Sequence, residues 1–441
     1  MNIAQNATSA EESYWQVTFL LGALLVAFCL PANLLITLGI PYTQPGGNFI
    51  IKFHPASWLT GLALVSSLMT VSGRIAISNC SSDHPVLFFY LATIFAATTY
   101  TFLSFGPSGV AFYVDTLFIP GVYLFLLYSS SRDARQRIFA LALGLCTLHA
   151  LIGLGEYALG SRLIPFLLDG EPYVETYFRS TGLSSHPLEG AGRIVPALFA
   201  YWILPNRMTR TVTLILFLSL LAFGSRSALG VSLLLLGLMT TREIWHSLLH
   251  HSISPRGILI RAVFLGISIP IVYFAADQGL GQRIFESLYL DSSALSRIDS
   301  VQILHDLEPK DLLFGIGAEG VTQVEHARRG WFNIENFWVV LILQMGLPMA
   351  ALVSLALLSL LYSIYRKAPV PVRYMLVAFI VTASSNNALT VKTQNLLILI
   401  ALSATSLSVP IRERSDSYPD RWRSAHEAMR RMRRMRQKRT A

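Results

Sequence analysis

Charge is scarce in this chain. Only 13 % of its 441 residues are charged, about half the share usual in a soluble domain. Apolar residues make up 53 %, and mean hydropathy is +0.53. This balance excludes disorder, a coiled coil or a nucleic-acid-binding domain as the main business, and it argues against a soluble enzyme. Cysteine is scarce too. Cys29, Cys80 and Cys146 are scattered, with neither metal-ligand spacing nor a disulfide framework. No internal repeat is evident. No small-residue cleavage site follows the first apolar run, Trp15 to Ile40, and that run is too long for a signal-peptide core.

Long apolar runs are abundant, and a span needs about 20 mostly apolar residues. The runs predict an all-α polytopic membrane protein of about twelve transmembrane helices. They are centred near 17–40, 55–73, 85–104, 109–129, 136–158, 188–204, 210–223, 226–241, 257–275, 336–364, 371–387 and 394–410.

The charge that exists is unevenly placed. From Ile411 onward ten Arg and one Lys face four acids, so the tail holds +7 of the chain's +9. Such a tail reads as a topology anchor on anionic cytoplasmic lipid, not as a nucleic-acid site. Short loops rich in Arg (Arg74; Arg132, Arg135 and Arg137; Arg207 and Arg210; Arg366, Lys367 and Arg373) then fall on the tail's side. Both termini are expected to be cytoplasmic. The chain divides into N-terminal helices (1–275, with an outer loop near 160–187), an outer loop (276–335), C-terminal helices (336–410) and the basic tail (411–441). The large loop has a helical apolar spacing, Leu295, Ile298, Val301, Leu304 and Leu307.

Outer arginines oppose the topological trend, so Arg179, Arg226 and Arg297 stand out. Arginine binds phosphate through paired hydrogen bonds, and a cluster on one face suits a lipid-linked diphosphate. Each residue alone is also readable as a snorkelling anchor. Glu335 opens a long span. It reads either as a helix cap or as a carboxylate base for an acceptor hydroxyl. Asp115 and Glu156 lie near outer span ends, as cavity-lining acids or buried structural ones. His186 reads as a ligand-facing residue beside Arg179 or as a turn before Pro187. Lys392 and His305 are weaker outer-face candidates. His246, His250 and His251 read as a solvated inner loop.

The order of these features resembles the O-antigen ligase and Wzy-type polysaccharide polymerase superfamily. The residues are Arg179-x-x-Gly182-x-x-x-His186-Pro187, then Ser225-Arg226-Ser227-Ala228, then Ser296-Arg297 and Phe314-Gly315-Ile316-Gly317, then Glu335-Asn336 and a long span. In the ligase pattern a His precedes Asn, Ser or Gln, with a Gly after nine further residues. Asn336 and Gly346 fit that spacing, while Glu335 replaces the His and Met349 the final residue. A glutamate here looks more like members that polymerise exopolysaccharide repeat units.

The resemblance implies a GT-C-like fold and inverting, metal-independent glycosyl transfer on the periplasmic face of a bacterial inner membrane. The donor would be a glycan on undecaprenyl pyrophosphate, and the acceptor a glycan or lipid-linked glycan. A flippase and a chain-length regulator would be partners, with membrane lipid around it. No cofactor or metal is expected. The first outer loop, Pro41 to Pro55, has no acid, whereas metal-dependent GT-C enzymes typically carry an acidic pair there. The alternatives are an O-antigen ligase acting on lipid A–core and, in another class, a lipid-linked oligosaccharide transporter. A transporter predicts repeat symmetry and broken, charged spans at the midplane, neither of which the sequence displays.

Overall fold

In a computed structural model the structure describes residues 14–43, 49–107, 109–168, 171–173, 175, 177–204, 208–249, 300–327, 334–386 and 389–406. Arg297, the run near 257–275, His250, His251 and the basic tail lie outside them.

The described residues fold mostly into helices. These are α1 (Tyr14–Cys29), α2 (Ala32–Thr37), α3 (Pro55–Leu68), α4 (Val71–Asp83), α5 (Pro85–Phe105), α6 (Val110–Ser129) and α7 (Arg132–Leu159). A two-residue antiparallel ribbon pairs β1 (Leu167–Leu168) with β2 (Glu171–Pro172). Then come α8 (Pro187–Tyr201), α9 (Met208–Ala222), α10 (Arg226–Leu249), α11 (Pro309–Phe314), α12 (Gly317–Ala327), α13 (Phe337–Lys367), α14 (Val370–Ser384) and α15 (Asn395–Ser406).

Four of these helices, α5, α6, α7 and α13, are long and apolar enough to cross a membrane. The pair α3 and α4 makes a fifth if its 106° bend belongs to one span. Shorter apolar helices, including α1, α14 and most of α9 and α15, pack among them. Phe95, Phe102, Leu103 and Leu355 point outward, at 52–77 % exposure. Water would penalise such a belt heavily, and lipid accepts it. The architecture is that of an all-α membrane protein.

Local signals set the helix ends. Ser131 caps α7 by accepting from Ala134 N, with Asp133 in the first turn, and Gly160 ends it at φ 63°. Before Pro120, α6 opens into a π-helical stretch, Tyr113–Phe118, that carries Asp115. A break at Gly346 (φ 77°, ψ 160°) divides α13. The Phe314–Gly317 segment seats into that break. Ile316 N donates to Leu343 O at 2.7 Å, and Tyr100 Oη donates to Phe314 O at 2.6 Å. A Cβ on Gly315 would come within 2.6 Å of Gly346 N. The two glycines therefore permit a backbone approach that no other residue pair allows.

Residues 300–305 are helical; of the apolar spacing, Leu295 and Ile298 lie outside the described residues, Leu304 and Leu307 pack at the edge of a buried cluster, and Val301 does not. Ile303 (2 % exposed) enters a cluster with Val321, Ile334, Val340 and Leu343, flanked by Leu304 and Leu307. Val301 is 47 % exposed. The packing partners on α12 and α13, not the longest apolar repeat, select the face.

Candidate functional site

Several helix ends and connections meet at one end of the bundle. Phe337 N, at the start of α13, donates to Asn386 O beyond α14. Asn395 Nδ2, opening α15, donates to Glu189 O in the first turn of α8. The Glu335 corner and the Arg179 loop thus share an end of the molecule.

The Arg179 loop is held by buried polar groups of α7. Glu156 Oε2 accepts from Thr181 N and Gly182 N, each at 2.8 Å, and Oε1 accepts from Leu163 N at 2.8 Å. One carboxylate thereby satisfies three backbone donors, each of which would be costly to bury unpaired. Ser180 Oγ donates to Gly153 O at 2.6 Å, and Leu183 N donates to His149 Nδ1 at 2.9 Å. Arg193 of α8 donates to Leu183 O at 2.6 Å and pairs with Glu189 at 2.5 Å. Glu156 is therefore a loop anchor. Arg193 and His149, absent from the sequence-derived site, share that work.

Arg179 lies over the turn between α9 and α10. Ser180 N donates to Ala222 O at 3.0 Å. The stem of Arg179 covers Gly224, where a Cβ would come within 2.9 Å of Cδ. Gly224 takes φ 63° and stands two residues before half-buried Arg226. Ser225 Oγ in this turn and Thr181 Oγ1 in the loop are buried with no hydrogen-bond partner.

The guanidinium of Arg179 meets Glu175, which also receives Arg162. Burial lowers the pKa of Arg162, and Glu175 raises it in opposition. Neither Arg162 nor Glu175 is among the residues that the sequence singles out. A pairing thirteen residues apart in an irregular loop leaves no periodic signal.

At the head of α13 the cap is Asn336. Its Oδ1 accepts from Trp338 N at 3.0 Å and Val339 N at 3.4 Å. Glu335, one residue earlier and half-buried, is not the cap. His186 likewise caps α8, accepting from Leu188 N at 3.1 Å, and packs edge-on against Phe166.

Asp115 and Lys392 belong to a neighbouring network. Asp115 accepts from Tyr42 Oη at 2.9 Å, Ser57 Oγ at 2.6 Å and His54 N at 3.0 Å. Lys392 Nζ donates to Tyr42 O at 2.6 Å and Lys52 O at 3.0 Å, and sits over the Tyr42 ring. Burial pushes its pKa down to about 8, against the pull of Asp115. These contacts tie the segment between α2 and α3 to the connection before α15. His305 is exposed, next to Leu304, which packs toward Val321 of α12. Among the described residues no group of three His, Cys, Asp or Glu side chains is arranged to hold a metal ion.

No family model matches the chain, and no curated protein matches it.

Proposed function

We propose that the protein is an inverting, metal-independent glycosyltransferase of the bacterial inner membrane. It takes a glycan from undecaprenyl pyrophosphate on the periplasmic face and polymerises exopolysaccharide or O-antigen repeat units. In this reading the bundle is a twelve-span, GT-C-like assembly with both termini cytoplasmic, and the Arg179 end faces the periplasm. The observation that carries the proposal is the stacking of Arg179 on the Gly224 turn ahead of Arg226, at the end of the bundle that also presents Glu335.

The roles follow from charge. Arg179 and Arg226 bind the pyrophosphate and stabilise the negative charge that grows on it as the glycosidic bond breaks. Arg297 is assigned to the same group. Buried Ser225 Oγ and Thr181 Oγ1 supply two hydroxyls beside them. Glu335 takes the proton of the acceptor hydroxyl, which attacks from the opposite side. The cap of α13 is Asn336, so the base role of Glu335 does not remove the helix cap. Glutamate in place of His favours polymerisation over ligation to lipid A–core.

Purified Arg179→Ala and Arg226→Ala proteins test this with a defined lipid-linked oligosaccharide. Each should lose transfer at least about a hundredfold while still inserting and expressing, since a charged contact to a bound phosphate is worth a few kcal/mol. Full activity in both refutes the diphosphate site.

A further inference from the structure

Two arginines converge on one acid in the loop after α7. Arg162 Nη2 donates to Glu175 Oε2 at 2.5 Å. Arg179 donates to Glu175 Oε1 through Nε, at 2.7 Å, and through Nη2. All three side chains are nearly buried, at 12 %, 11 % and 7 % exposure. Arg162 and the backbone beside Arg179 are also held by contacts other than this acid. Arg162 Nε donates to Arg179 O at 3.0 Å. The Arg162 guanidinium lies over Phe166 and Phe178 at 5.1 and 5.0 Å. Bonds from Ser180 Oγ to Gly153 O and from Thr181 N to Glu156 hold the two residues that follow Arg179. Glu175 itself stands just beyond a ribbon of only two residue pairs.

We infer that Glu175 is a built-in counter-ion, occupying the place of a pyrophosphoryl group between Arg162 and Arg179 and giving way when such a ligand binds. The inference rests on the reading of Arg179 as a pyrophosphate contact, and it adds Arg162 to that site. A carboxylate offers two oxygens and one charge. A diphosphate offers more of both to the same two guanidinium forks. The internal acid keeps the buried arginines compensated until then, which matters because an unpaired buried charge is costly. It also raises the threshold for weakly charged anions, because any ligand must outcompete a tethered carboxylate.

The test is titration of the detergent-solubilised full-length protein with inorganic pyrophosphate and with farnesyl pyrophosphate. Glu175→Gln should bind both about tenfold tighter than the wild type, and Arg162→Ala should bind both more weakly. Wild-type protein should also show faster amide exchange in the peptide spanning Glu175 when pyrophosphate is added. That measurement needs no variant, so it stands even where Glu175→Gln folds poorly. Unchanged or weaker binding by well-folded Glu175→Gln overturns the counter-ion and leaves the diphosphate site intact. Slower exchange of the Glu175 peptide in the pyrophosphate-bound wild type overturns it as well. Absence of pyrophosphoryl binding in wild type and variant alike refutes the proposed function itself. Tighter binding of the farnesyl ligand supports a lipid-linked source. Equal affinities contradict that source while leaving the counter-ion standing.

Discussion

The side chain of Arg179 lies directly on Gly224. A Cβ at residue 224 would come within 2.9 Å of Arg179 Cδ and 3.1 Å of Cγ. The turn also needs a positive φ of 63°, which favours glycine. Gly224→Ala should therefore destabilise the protein by about 1–2 kcal/mol and lower transfer at least about tenfold by displacing Arg179. Melting midpoints and transfer rates on the same preparations check both effects. Wild-type values for each would show that the contact is dispensable.

Glu156 is the anchor of the same loop. Glu156→Gln keeps the size but replaces one acceptor oxygen by a donor, leaving Thr181 N and Gly182 N, or Leu163 N, without their partner. A loss of about 1–3 kcal/mol is expected. Limited proteolysis between 160 and 186 should quicken relative to the helical core. An unchanged cleavage pattern would contradict the anchoring role.

His54 uses both ring nitrogens. Nδ1 accepts from Ala56 N, and Nε2 donates to Leu30 O at 2.8 Å. Burial lowers its pKa from the ordinary 6.5 to about 4. The folded state therefore resists protonation more than the unfolded chain does. Its contribution is whole above about pH 6.5 and is lost as the pH falls toward 4, up to about 3 kcal/mol. His54→Asn retains a capping oxygen and cannot titrate. The melting midpoint of the wild type should fall more steeply than that of the variant between pH 6.5 and 4. Parallel curves would remove His54 from the acid response.

The sequence made the membrane character legible because span length and hydropathy are properties of single segments. Irregularities inside spans were less visible. The 106° bend between α3 and α4 falls where Thr70 caps α4 by accepting from Gly73 N, and the π-helical stretch carries Asp115, which is held by Tyr42, Ser57 and His54. Arg179 and Arg226 stood out as charges on the wrong side of the topological bias. Glu175 and Arg162 did not, because an ion pair across an irregular loop has no period. Glu335 was legible as a helix-start acid, but the cap fell to Asn336, whose short side chain reaches the first-turn amides more readily.

Glu335 is the proposed base in glycosyl transfer. A sugar hydroxyl is a poor nucleophile at neutral pH, and a positioned base supplies about 10²–10⁴-fold. Asn336, not Glu335, holds the cap of α13, so Glu335→Gln leaves that cap in place. The decisive measurement is the transfer rate of Glu335→Gln on a defined lipid-linked oligosaccharide, at matched amounts of folded protein and saturating donor. Donor affinity should be unchanged and the protein folded, with turnover lower by at least about a hundredfold. Turnover close to wild type would contradict the base role.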